Sequence, residues 1–119
     1  MKKILVIDDE AIVRMSCERA LASEGCEVKT AESGNVGINM LEKEPFHLIL
    51  LDMKMPGVDG LEVLKIVKER WAETKVIIIT GYSTVQTAVQ TLKLGADNFI
   101  EKPFTPDTLA ATVAEALKK

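Results

Sequence analysis

The stretch Leu48-Ile49-Leu50-Leu51-Asp52-Met53-Lys54-Met55-Pro56-Gly57-Val58-Asp59-Gly60 joins a run of large aliphatic residues to an acid and a tight turn. The four residues Leu48 to Leu51 leave no polar face, the pattern of a strand covered on both sides. The run stops at a carboxylate, Asp52, and Pro56-Gly57 and Gly60 then bend the backbone sharply. An acid at the exit of a buried strand is costly unless it has a partner. Taken alone, Asp52 reads equally well as the start of a turn.

Working outward, two more runs share the all-apolar pattern, Ile4 to Ile7 and Val76 to Ile79. Between and after them the period changes to that of helices. Val13, Cys17, Ala20 and Leu21 form one stripe, ended by Gly25. Ser33 caps a second helix carrying Val36, Met40 and Leu41, which ends before Pro45. Leu61, Leu64, Val67 and Lys68 mark a third. Ser83 and Gln86 form a capping box for a fourth, with Val85, Ala88, Val89 and Leu92, stopped by Gly95. Thr105 and Pro106 open a fifth, through Leu109, Val113 and Leu117. Glu27 to Thr30 alternates like an edge strand, and Asn98-Phe99-Ile100 is a brief last strand.

Strict alternation of strand and helix implies right-handed crossovers and a parallel sheet with helices on both faces. With the three apolar strands central, the expected fold is α/β and doubly wound, of strand order 2-1-3-4-5. All of residues 1–119 are expected to form one domain.

Composition narrows the function classes. Hydrophobic residues make up 47% and charged residues 28%, an ordinary globular balance. A net charge of −3 and a pI near 5.2 argue against direct nucleic-acid binding. Cys17 and Cys26 lack metal or redox spacing, and Cys17 falls on a core stripe. Met1-Lys2-Lys3 runs into only four apolar residues before Asp8, too few for a signal-peptide core, and no run approaches a membrane span. A soluble, cytoplasmic protein is expected.

The polar residues fall at the strand ends. Asp8 and Asp9 end the first strand, Asp52 the third, Thr80 the fourth and Lys102 the fifth. A parallel sheet brings its strand C-termini to one edge, where open α/β folds bind ligands. Three carboxylates there repel one another unless a cation is present. Oxygen donors without His or Cys suit a hard ion, Mg²⁺, with Mn²⁺ able to substitute. An acid, a divalent ion, a lysine and a hydroxyl suit a transferring phosphoryl group, and a carboxylate can itself be the nucleophile.

Those residues make the chain resemble, over its whole length, the receiver domain of two-component response regulators. The matching segments are Asp8-Asp9-Glu10, the stretch from Asp52 to Gly60, Thr80-Gly81 and Glu101-Lys102-Pro103-Phe104. The resemblance implies the flavodoxin-like (βα)5 fold and a role as a self-catalysing phosphoacceptor rather than an enzyme. Asp52 would accept a phosphoryl group from a sensor histidine kinase. Asp8 or Asp9, Asp52 and the backbone carbonyl of Lys54 would hold Mg²⁺, with Asp9 the closer carboxylate. Thr80 and Lys102 would bind the phosphoryl oxygens, Phe99 would be the aromatic switch, and the Lys102–Pro103 bond would be cis. Lys54 and Tyr82 would tune access of water to the acyl phosphate, with bulky Tyr82 as a shield. The fourth helix, fifth strand and fifth helix would control an output domain or partner, and could mediate a phosphorylation-dependent homodimer. Thr80-Gly81-Tyr82-Ser83 and Glu101-Lys102-Pro103-Phe104 are also similar to receivers attached to ATP-dependent transcription activators, which makes a transcriptional output the expectation.

Two rivals fit less well. A haloacid-dehalogenase-type phosphohydrolase needs Asp-x-Asp on the first strand, where this chain has Asp8-x-Glu10. A nucleotide or flavin binder needs a glycine-rich loop where Asp8-Asp9-Glu10 would repel phosphate. His47, the single histidine, has no evident partner in the sequence and reads as structural or surface. Trp71 reads as packing at the end of the third helix, and Met53 and Met55 as core or partner contacts.

Overall fold

A computed structural model describes residues 1–53, 60–81 and 85–118, without the side chains of 85–88. The expected capping box of Ser83 and Gln86, and the calls on Lys54, Met55 and Tyr82, lie outside the described residues.

Five strands and five helices alternate along the chain: β1 (Lys3–Ile7), α1 (Ala11–Ala22), β2 (Glu27–Ala31), α2 (Gly34–Lys43), β3 (Leu48–Asp52), α3 (Gly60–Arg70), β4 (Lys75–Thr80), α4 (Val85–Lys93), β5 (Asn98–Glu101) and α5 (Pro106–Lys118). The strands form one sheet in the order β2-β1-β3-β4-β5, and every pairing is parallel. The doubly wound expectation therefore holds, with the alternating strand β2 at one edge.

The all-apolar strands are explained by burial on both sides. Ile4, Val6, Leu48, Leu50, Ile77, Ile79 and Ile100 pack with Cys17 and Leu21 of α1 and Leu109, Val113 and Ala116 of α5. Leu5, Ile7, Ile49, Leu51, Val76 and Ile78 point the other way, onto Leu41 of α2 and Val63, Leu64 and Val67 of α3. Alternate residues of a strand face opposite sides, so a run without polar residues fills two cores at once. Each fully buried aliphatic side chain contributes at most about 1.5–3 kcal/mol. Cys17 is fully buried in the first of these cores, and burial, followed by the nearby Asp8 carboxylate, pushes its thiol up to about 12. It is a packing residue.

Helix ends follow the local chemistry. Ser33 Oγ accepts the Val36 N–H at 3.2 Å, and Thr105 Oγ1 accepts the Thr108 N–H at 3.1 Å. Beyond α1, Gly25 takes φ of +81°, a conformation that side chains with a Cβ disfavour.

Two helix faces differ from the expected ones. In α2 the buried residues are Gly34, Gly37 and Leu41, while Val36 is exposed. The helix approaches the sheet through glycine: a Cβ on Gly37 would lie 2.4 Å from the Ile7 side chain. In α4, Val89 and Leu92 are exposed and Thr91 is fully buried. The face turned inward there continues to Leu94 and Ala96, which pack on the α2/α3 side of the sheet.

Candidate functional site

Parallel pairing places the ends of β1, β3, β4 and β5 side by side. Asp8 follows directly after β1. Its N–H donates to the Ala31 carbonyl at 3.1 Å, and its own carbonyl accepts from the Arg14 guanidinium at 2.8 Å. Its Oδ1 accepts the Glu10 N–H at 2.9 Å, and the side chain is wholly buried. Asp9 and Glu10 are exposed above it. Asp52 ends β3 opposite Ile79 and is 4% exposed. Thr80 ends β4, buried, opposite Glu101, and its carbonyl accepts the Lys102 N–H at 2.9 Å. The Lys102–Pro103 peptide that follows is cis, as expected.

Lys102 draws the carboxylates together. Its Nζ lies 2.9 Å from Asp8 Oδ2, 3.1 Å from Glu10 Oε1 and 3.5 Å from Asp52 Oδ1. Burial alone would lower its pKa. Close contact with Asp8 and Glu10, and the charge of Asp52, outweigh that and hold the ammonium above the ordinary lysine range. The site therefore carries a permanent positive charge.

One ammonium does not balance the acids. Asp8 Oδ2 is wholly buried with the Lys102 ammonium 2.9 Å away as its charge partner, and Asp9, Glu10 and Asp52 add further negative charge to the same edge. Carboxylate oxygens of Asp8, Asp9 and Glu10 lie within 4.8 Å of one another, a group that could hold a metal ion. The donors are all hard oxygens, which fits a divalent cation such as Mg²⁺.

Gly60, at the start of α3, lies close against the end of β3. The Gly60 N–H donates to the Met53 carbonyl at 3.2 Å. A Cβ on Gly60 would stand 2.6 Å from Met53 Cα and 2.7 Å from the Asp52 carbonyl oxygen, both backbone atoms that cannot swing aside. Glycine is required there because α3 starts against the strand end that carries the acid. Met53 packs on the core formed with α2 and α3.

Phe99 lies in β5 opposite Ile78, half-buried against that same core, next along the sheet from the strand that ends in Thr80. The sequence reading of Glu10, as a residue that repels phosphate, missed its bond to Lys102. The participation of Arg14 was missed as well. A residue one turn into α1 gives no signal that it reaches back to the strand end. His47 does have a partner: its Nδ1 accepts the Lys3 N–H at 3.0 Å, at the opposite edge of the sheet. Trp71 is half-buried at that edge too, beneath the Arg70 guanidinium at 4.4 Å from the ring centre.

A parallel five-stranded sheet with acids at the ends of β1 and β3 and a lysine after β5 defines a receiver-type module. The chain belongs to the response regulator receiver domain family, whose model matches residues 4–114. Among curated proteins it is similar to the transcriptional regulatory protein FixJ of Bradyrhizobium diazoefficiens, 37% identical over 116 residues. That match covers 98% of this chain and 57% of FixJ. It is also similar to the DNA-binding transcriptional regulator NtrC of Salmonella typhimurium, 38% identical over 114 residues, covering 96% of this chain and 24% of NtrC. The chain thus spans about a quarter to just over half the length of these relatives. Among solved structures, a CheY-like response regulator receiver domain protein from Methanospirillum hungatei superposes with a TM-score of 0.94 at 35% identity. The superposition covers 99% of this chain and 94% of that one. Among the described residues, no helix is long and apolar enough to cross a membrane.

Proposed function

We propose that this chain is the phosphoacceptor module of a two-component system, taking a phosphoryl group from a sensor histidine kinase onto Asp52. The observation that carries the reading is the meeting of Asp8, Glu10 and Asp52 around the Lys102 ammonium at the C-terminal edge of the sheet. In the reaction, an Asp52 carboxylate oxygen forms a bond to phosphorus while the bond from phosphorus to the donor imidazole nitrogen breaks. The imidazole leaves with that electron pair and is protonated from solvent. Lys102 binds the equatorial phosphoryl oxygens as a fixed cation, and Thr80 offers its hydroxyl to them. Asp8, Asp9, Asp52 and the Lys54 carbonyl are the proposed holders of Mg²⁺, or of Mn²⁺ in its place. Bound there, the ion supplies charge neutralisation for the phosphoryl oxygens. Lys54 and Tyr82 are proposed to govern the entry of water, and so the lifetime of the acyl phosphate.

Readout is proposed to run through Thr80 and Phe99 to the surface of α4, β5 and α5. Thr80 moves toward the bound phosphoryl group, and the Phe99 ring turns into the vacated space. Support comes from the apolar side chains of Val89 and Leu92, which α4 leaves exposed on that surface. That surface would engage an output domain or partner, or a second phosphorylated copy. Because FixJ and NtrC are named as transcriptional regulators, a transcriptional output is the favoured one. Residues 1–119 act in this reading as a single cytoplasmic receiver unit that does not itself bind nucleic acid.

The test is intact mass spectrometry after incubation with acetyl phosphate, with and without Mg²⁺, beside Asp52→Asn. A Mg²⁺-dependent gain of one phosphoryl group, absent in the variant, is the expected result. Steady release of phosphate without an adduct would support a phosphohydrolase instead. Neither adduct nor turnover would point to signalling by contact alone.

A further inference from the structure

Glu10 occupies the N-cap of α1, with φ of −90° and ψ of 117°, but its side chain makes no capping hydrogen bond. An N-cap side chain ordinarily accepts from an N–H of the first helical turn. The Glu10 carboxylate instead reaches across the strand ends, where Oε1 accepts from Lys102 Nζ at 3.1 Å. Its backbone is held on both sides, the N–H donating to Asp8 Oδ1 at 2.9 Å and the carbonyl accepting the Arg14 N–H at 3.2 Å. The side chain, however, is 60% exposed.

The three anions around Lys102 are therefore unequal. Asp8 is fully buried and Asp52 nearly so, whereas Glu10 stands in solvent. The ammonium sits nearer Asp8 and Glu10, at 2.9 and 3.1 Å, than Asp52, at 3.5 Å. An ammonium has three donor protons and no preferred plane, so it can change partners by small rotations of its stem. An exposed ion pair is the cheapest of the three to give up.

We propose that Glu10 is a positioning residue for Lys102. It holds the ammonium off Asp52 in the resting protein and releases it when the lysine engages a phosphoryl oxygen there. The proposal rests on the phosphoacceptor reading above. It assigns the acidic residue after Asp8-Asp9 a task distinct from holding metal: setting how readily the lysine is available.

Glu10→Gln keeps the shape and removes the charge, so the lysine is held less firmly. At saturating Mg²⁺ and acetyl phosphate, its phosphorylation should run about two- to fivefold faster than wild type, the range of one exposed ion pair. Removing a negative charge near an anionic donor would also speed the reaction, so the same change is made in a Lys102→Met background. Positioning predicts no acceleration there. In metal-free protein without donor, the ¹⁵N signal of the Lys102 ammonium should shift in Glu10→Gln, and its protons should exchange faster with water. An equal rate in Glu10→Gln, an acceleration that persists without Lys102, or an unmoved Lys102 signal would each overturn the proposal while wild type still forms its adduct. A wild-type protein that forms no adduct would overturn the phosphoacceptor reading, and this proposal with it.

Discussion

The two edges of the sheet handle charge in opposite ways. At the N-terminal edge, cations and anions are matched. Glu44 is shared by Lys3 and Lys29, and those two lysines hold its carboxyl below the usual range. Asp97 lies 3.0 Å from Lys68 and 4.0 Å from Lys75, and Arg70 lies 2.9 Å from Glu42. At the C-terminal edge, Asp8, Glu10 and Asp52 gather around Lys102, and Asp9 adds a fourth carboxylate beside Asp8 and Glu10. One end is complete as it stands. The other holds a surplus of negative charge that costs stability and leaves a demand for a cation.

The largest effect should come from taking away the lysine that the acids of this edge share. Lys102→Met should slow phosphorylation by acetyl phosphate about 10²- to 10³-fold, the usual loss for one electrostatic contact to a developing charge. Calorimetry should show Mg²⁺ bound more tightly by the same variant, since its acids lose their internal partner. A rate within a few-fold of wild type would remove Lys102 from the phosphoryl-binding role.

A smaller change, of opposite sign for stability, should follow from lightening the surplus. In metal-free buffer, Asp52→Ala should raise the melting temperature by about 3–5 °C, roughly 1 kcal/mol for a domain of this size. Adding Mg²⁺ should narrow the gap, because wild type gains more from the bound ion. A fall in melting temperature would show that the bonds Asp52 makes outweigh the repulsion it adds.

The smallest effect belongs to the matched edge. Glu44→Gln should lower the melting temperature slightly at low salt, and the difference should vanish near about 1 M salt, where exposed charges are screened. A large or salt-independent loss would mean that this edge is held together by its ion pairs rather than by the core above it.

The contrast also explains what could be read from the sequence. The central strands were legible because Leu48 to Leu51 and their counterparts fill cores on both faces, which leaves no place for a polar residue. Asp8, Asp52, Thr80 and Lys102 were legible as a group because strand ends in a parallel sheet meet wherever the register puts them. Faces that depend on small residues were not. Hydropathy favours Val36, but α2 packs through Gly37, which carries no side chain to register in such a pattern. Thr91 is polar by composition and buried in fact, so the inward face of α4 was misjudged. The partners of single polar groups, Glu10 with Lys102 and His47 with Lys3, are separated by 92 and 44 residues and depend on side-chain reach.

Trp71, the one indole of the chain, stacks under Arg70 beside the start of β4, while the acids lie beyond its end. A strand of this length spans about 17 Å. Emission from that ring will report the melting of the lower edge and stay nearly silent when an ion or phosphoryl group arrives at the upper one. Optical titrations of the acidic edge will call for a second fluorophore, whereas unfolding curves can be recorded on the native chain without any label.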